Sequence, residues 1–166
     1  MLVIVPLKAA RVKEMAGRFK HRNLPLLILQ ARERVIGHFR PLLNAHGITE
    51  QQWRIVRLLL EADALEPRQI GELCTLSSPS LAGVLARMEE VGLVRRRRIA
   101  HDQRRVRVSL TPRSRALAAR MAPQIEAVYA RIEGLLGEEV CRRLYATLDD
   151  VLAKLGPPAQ EPADTR

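Results

Sequence analysis

Six arginines fall within eleven positions, Arg95, Arg96, Arg97, Arg98, Arg104 and Arg105, on either side of a polar turn that also holds Asp102. Each guanidinium presents a planar fork of donors that matches phosphate oxygens two at a time, so the chemistry on offer is polyanion binding. Asp102 runs against this charge. Its expected role is to pair with Arg104 and aim it, since an acid facing phosphate weakens binding. A second group lies upstream, where Ser80, Gly83 and Arg87 recur at spacings of three and four, with Ser77 and Ser78 at the N-terminus of the same helix. Small polar residues at a helix start leave backbone donors and a positive dipole open to a phosphate. Arg87 can meet guanine N7 and O6, or a phosphate. Taken singly, these serines are also plain caps, Arg87 a solvated side chain and the arginine run a solvated hairpin. The joint arrangement carries the reading.

Other chemistries lack their residues. The chain has no Gly-x-Ser-x-Gly, no phosphate loop and no His-carboxylate metal motif, so neither enzyme activity nor a metal or cofactor is expected. Cys74 and Cys141 make no CxxC or zinc-ligand spacing with His21, His38, His46 or His101. No export signal precedes them, and reduced thiols in a cytoplasm are the expectation.

The charged groups need a scaffold, and 166 residues suffice for one domain with a core. With 47% apolar but only 3% aromatic residues, that core must come from Leu, Val, Ile and Ala, which favours helix. A formal net charge of +10 attracts nucleic acid and acidic membranes alike. So few aromatic rings cannot build the stacking platform of a single-strand binder. No basic helix with aromatic anchors suits a membrane surface. Duplex DNA fits best.

Residues 1–22 read as a flexible basic arm and 157–166 as a disordered tail. Between them a helix is expected over Leu24 to Ala45, with Leu24, Ile28, Ala31, Val35, Phe39 and Leu42 on one face. Thr49 and Gln52 form a capping box that opens a second helix burying Trp53, Val56, Leu59 and Leu60. A short helix from Pro67 to Cys74 turns Ile70 and Leu73 inward. After the turn Thr75-Leu76-Ser77, Ser78 caps the next helix, which buries Leu81, Leu85, Met88 and Val91 and stops at Gly92. The period then changes to two, giving a two-stranded basic hairpin that ends in the alternation Val106, Val108, Leu110. Thr111-Pro112 starts a long helix with Leu117, Met121, Ile125, Val128, Ile132 and Leu135 on one face, and Pro123 inside it is a candidate kink. A last helix carries Val140, Leu144, Leu148, Val151 and Leu155. The sum is a mainly α chain, a winged helix-turn-helix with a β wing between long terminal helices.

At this point the stretch DQRRVRVSLTPRSR resembles the wing signature of the MarR family of bacterial regulators, and LSSPSLAGVLARMEEVGLVRR resembles its recognition helix. The likeness runs from about Leu24 to Leu155. Ser114 stands where the family usually has Gly. The resemblance implies a cytoplasmic homodimer on a pseudo-palindromic DNA duplex, with 23–47 and 112–156 as dimerisation helices and 48–111 as the winged unit. The long apolar stripes of the terminal helices agree, since a monomer of this size struggles to cover them. Within the family, NLPLLILQARERVIGHFRPLLNAHGITEQQWRIVRLL resembles regulators of aromatic-acid catabolism, the homoprotocatechuate-operon type in particular. Such relatives bind a small aromatic carboxylate between the dimerisation helices and the winged unit. Here that implies Arg32, Arg34, His38 and Trp53, basic groups beside an apolar slot. The plainer alternative pairs the arginines with Glu33 or a partner chain and leaves His38 and Trp53 in the core. A competing function from another class is a basic nucleoid or RNA-binding structural protein with no operator and no effector.

Overall fold

The computed structural model describes residues 20–99 and 102–157. The expected arm up to residue 19, the tail beyond 157 and the Asp102 side chain lie outside the described residues. The chain divides into two units, Met1–Gly37 and His38–Arg166. Among the described residues the order is α1 (Leu24–Ala45), α2 (Glu50–Ala62), β1 (Ala64–Leu65), α3 (Pro67–Cys74), α4 (Ser78–Glu90), β2 (Val94–Ile99), β3 (Asp102–Leu110), α5 (Pro112–Leu136) and α6 (Glu138–Leu155).

The first unit contributes the N-terminal part of α1, where Leu24, Leu26, Ile28 and Leu29 are exposed. The second holds everything from His38 onward. There, Thr49 caps α2 through its hydroxyl, and Gln52 returns the bond to the Thr49 N–H, so two orphan donors are satisfied reciprocally. Thr111 caps α5 in the same manner, accepting from the Ser114 N–H. Helix α5 continues unbroken through Pro123.

The core joins α2, α3, α4 and the sheet: Ile55, Val56 and Leu59 with Ile70 and Cys74, then Leu81, Val84, Leu85 and Met88, then Leu93, Val94, Val108 and Leu110. Each such side chain contributes about 1.5–3 kcal/mol by leaving water. On α5, Ala118, Met121, Ile125 and Val128 are buried, and Phe39 meets Tyr129 edge-on with centroids 5.0 Å apart.

Several expectations shift by one position or one element. The sheet has three strands in the order β1-β3-β2, because Ala64 and Leu65 pair with Ser109 and Val108. Ser77, not Ser78, is the N-cap of α4, which places Pro79 at its second position. Leu73 is 63% exposed and Cys74 takes the inward place, since residues four apart stack on one helical face and Ile70 already sets it. Val91 follows the end of α4 and is exposed, while Val84 fills the core beside Leu85. Trp53 and Leu60 are half-buried.

Ser114 is fully buried, and its hydroxyl is the one buried side-chain polar atom without a hydrogen-bond partner among the described residues. An unsatisfied buried hydroxyl costs about 1–3 kcal/mol. Ser114→Ala is therefore expected to stabilise the fold by about 1 kcal/mol. Calorimetry would register it as a rise of a few degrees in Tm, and a fall would mean that the hydroxyl is in use.

Candidate nucleic-acid interface and effector pocket

Helix α4 stands on α3 through a three-residue turn. Thr75 closes α3 in the left-handed region, at φ 53° and ψ 53°. The Leu76 N–H returns to the Gly71 carbonyl over 2.9 Å, so the chain reverses within three residues. Ser77 then caps α4 with its backbone alone, because its hydroxyl donates to Ser80 Oγ, 3.0 Å away. Ser77, Ser78, Ser80 and Arg87 are exposed, on the side opposite Leu81, Val84, Leu85 and Met88. With no side-chain cap, the first turn of α4 keeps donors and a positive end available to an anion.

Gly83 lies on this face. A Cβ built there meets only Arg87 Nη1, at 3.4 Å, an ordinary contact. Glycine inside a helix costs roughly 0.5–1 kcal/mol relative to alanine. The protein's own packing leaves room for a side chain at this position.

The wing is organised by register. Val94, Arg96 and Arg98 pair with Leu110, Val108 and Val106, and the other face sets Arg95 against Ser109 and Arg97 against Arg107. Arg95 Nε donates to Ser109 Oγ at 3.1 Å. Arg97 and Arg107 are like charges directly opposite each other, an arrangement that destabilises a sheet.

The arginines expected to act alike have different surroundings. Arg96 is tied to α4, since Glu89 Oε2 lies 3.1 Å from its Nε and Glu89 Oε1 accepts its backbone N–H. Arg105 donates to Glu66 Oε1 through Nε at 3.0 Å and again through Nη2. Glu66 also caps α3, and the guanidinium of Arg105 holds its carboxyl below the usual carboxylate range. Arg105 thus braces the wing on α3. Arg107 braces β1, donating to the Ala64 carbonyl at 3.1 Å. Arg97, Arg98 and Arg104 are exposed, and Arg97 and Arg98 make no ion pair among the described residues. Nothing in the sequence sets Arg107 apart, since it reads as the polar half of an alternating strand.

The joint between wing and α5 is tightly bonded. Thr111 Oγ1 donates to the Gly92 carbonyl at 2.7 Å, Arg113 Nη1 donates to the Val91 carbonyl at 3.1 Å, and Arg115 pairs with Asp63 at 3.1 Å.

The four residues expected around a ligand are not brought together within one unit. Arg32 and Arg34 belong to the first unit, where Arg32 pairs with Glu33 at 2.7 Å. His38 belongs to the second, half-buried, with its carbonyl accepting from Arg131. Trp53 lines a cavity of about 220 Å³ together with Arg57, Leu60, Arg115, Ala118, Ala119, Ala122, Ile125 and Glu126. Small side chains there leave room for a flat body. Arg57 and Arg115 can meet a carboxylate, and Glu126 can accept from a hydroxyl. Arg57 was legible in principle, standing four residues after Trp53 on one helical face. Arg115 was not, since only the tertiary fold brings it near.

Cys74 and Cys141 are both buried, and burial pushes the Cys74 thiol up despite the nearby Arg54 charge, which disfavours its thiolate. No group of three or more His, Cys, Asp or Glu among the described residues is placed to hold a metal. No helix among them is long and apolar enough to cross a membrane.

Residues 48–106 match the model of the MarR family. The chain is 40% identical over 141 residues to the homoprotocatechuate degradative operon repressor of Escherichia coli, covering 85% of this chain and 95% of that protein. The crystal structure of transcriptional regulator PA4135 superimposes with a TM-score of 0.79 at 42% identity, over 82% of this chain and all of that one. NadR in complex with 4-hydroxyphenylacetate follows with a TM-score of 0.70 at 39% identity, over 82% of this chain and 94% of NadR. These relatives are regulators rather than enzymes. With a matching family model across the helix-turn-helix and wing, and a repressor of like length at this identity, the chain belongs to the MarR family of transcriptional regulators.

Proposed function

We propose that the protein is a dimeric repressor that reads a pseudo-palindromic DNA duplex and is released by a small hydroxylated aromatic carboxylate. The observation that carries the DNA half is the pairing of an α4 whose first turn has no side-chain cap, slim at Gly83, with a wing whose ladder sets Arg97 opposite Arg107. In this reading Ser77, Ser78, Ser80, Gly83 and Arg87 enter the major groove. Arg95, Arg97, Arg98 and Arg104 supply the wing's charge to backbone and minor groove, and Asp102 aims Arg104. Arg96 and Arg105 serve first as braces. The exposed apolar side chains of α6 and of the N-terminal part of α1 form the dimer surface.

The effector half is supported by the Trp53 cavity and by the ligand in the NadR complex, which has a carboxylate at one end and a hydroxyl at the other. Trp53, Arg57 and Arg115 are its proposed contacts within the second unit, with Arg32, Arg34 and His38 as proposed contributors from α1.

Selection of bound duplexes from a random library tests the reading directly. A regulator enriches one palindrome and prefers it by ~10³-fold or more, whereas a nucleoid or RNA-binding protein enriches none. On the selected duplex, Arg104→Ala is expected to weaken binding by about 1–3 kcal/mol and to reduce the salt slope by about one ion, with dimerisation intact. Unchanged affinity and slope would remove Arg104 from the interface.

A further inference from the structure

Arg54 lies outside both the outward face of α4 and the wing, yet it is bonded to the turn between α3 and α4. Its Nη1 donates to the Cys74 carbonyl at 2.5 Å. Helix C-termini leave carbonyls without intrahelical donors. At the end of α3 the Thr75 and Leu76 N–H groups return to Glu72 and Gly71, which leaves the Cys74 carbonyl to be satisfied from outside. Arg54 supplies that donor from α2, together with a positive charge at the negative end of the α3 dipole.

The guanidinium is itself held. Its Nη2 donates to Glu50 Oε1 at 3.0 Å, one helical turn back, and Glu50 Oε2 lies 3.8 Å from Arg40 Nη2 on α1. Arg54 and Glu50 are both partly buried, so the arrangement is better shielded than a surface pair. Three elements therefore meet at this strut: the C-terminal part of α1, the first turn of α2 and the end of α3. The residue after the bonded carbonyl is Thr75, a non-glycine residue at positive φ, and two residues further on is Ser77, where α4 begins. The Thr75 conformation is one that L side chains rarely adopt, and persists where its surroundings fix it.

We propose that Arg54 is a positioning residue for DNA reading: by fixing the Cys74 carbonyl it fixes the turn, and through the turn the entry of α4 into the groove. The proposal rests on the DNA-reading function above. Groups that read base edges must be held to within ~0.5 Å, so loosening the turn costs discrimination before it costs phosphate contacts. Lysine cannot replace the fork, because one ammonium cannot serve the carbonyl and Glu50 with the same planar geometry.

The test uses the full-length protein and two duplexes, the selected palindrome and an unrelated sequence of equal length. Arg54→Lys and Arg54→Ala are expected to keep the fold and the dimer while the ratio of the two affinities falls about tenfold, with the salt slope on the palindrome unchanged. Glu50→Gln, which leaves the carbonyl bond but loosens Arg54, is expected to lower the ratio by about threefold. Amide exchange at Thr75, Leu76 and Ser77 should quicken in Arg54→Ala while the core of α5 is unaffected. A ratio unchanged in both Arg54 variants, a salt slope shallower by about one ion, or loss of the whole fold in both would each overturn the proposal. Should the parent protein itself prefer no duplex, the DNA-reading function fails, and the proposal falls with it for that separate reason.

Discussion

Leu144→Asp combined with Leu148→Asp is expected to leave no dimer at micromolar concentration and to lower operator affinity by ~10³-fold or more. Val140, Leu144, Leu148, Leu152 and Leu155 recur along α6 and are between 41% and 79% exposed in the single chain. Leu135 and Leu136 continue this surface at the end of α5. A soluble monomer rarely leaves so continuous an apolar surface uncovered. Burying a carboxylate without a partner costs several kcal/mol, and two-fold symmetry repeats each substitution in the partner. A separated subunit keeps one recognition helix and loses the second half-site, which lies roughly 10 base pairs away. Sedimentation velocity and gel shift report the two effects. A double variant that still sediments as a dimer and still shifts the palindrome would place the interface elsewhere.

Arg57→Ala is expected to uncouple the effector while sparing DNA binding. If millimolar 4-hydroxyphenylacetate lowers the parent's operator affinity about 100-fold, the ligand favours the released state by about 2.7 kcal/mol. Arg57 lines the Trp53 cavity and otherwise meets only the exposed Glu61, at 3.7 Å, a pair of little energetic weight among the described residues. Removing it takes away a cation matched to the carboxylate at little cost to the fold. Release in Arg57→Ala should then fall to about threefold or less. Trp53 fluorescence reads binding in the same samples. Parental release in Arg57→Ala, with loss in Arg32→Ala, Arg34→Ala or His38→Ala instead, would move the carboxylate contact to α1. Parental release in all four would dismiss the pocket.

Element boundaries were legible wherever a local bond fixes them. Thr49 with Gln52, Pro67, Gly92 and Thr111 each mark an end through contacts spanning three residues or fewer, or through a fixed φ. Strand β1 was invisible because Ala64 and Leu65 are too short a run to show a period; they become a strand only because β3 offers an edge. The exchange of Leu73 for Cys74 has a related cause. On an eight-residue helix the inward face depends on where the neighbours sit, and hydrophobicity alone favours leucine.

The candidate site divides along the same line. The residues proposed on α4 and the wing stand out in the sequence because one helix face and one hairpin carry them all. The pocket was not, because Trp53 and Arg115 come from different helices and meet only in three dimensions. Individual roles within the wing were hidden as well. A run of four arginines gives no hint that Arg96 answers Glu89, or that Arg105, beyond the turn, answers Glu66.

Arg97 and Arg107 share a rung of the ladder, and under the proposed function that rung would make the wing's cohesion and its affinity two readings of one equilibrium. The Arg107 guanidinium leans on the Ala64 carbonyl of β1, and the rung carries two like charges at opposed positions, which under the proposed function a polyanion at the wing would offset. By linkage, whatever the polyanion adds to hairpin closure, closure returns to polyanion affinity. Simple salts would compete for the same rung, so ionic strength is expected to stiffen the wing and loosen its hold on a duplex at once. Under the proposed function, two like charges that look like a flaw in a β-ladder would act as a gauge of whether a phosphate backbone is present.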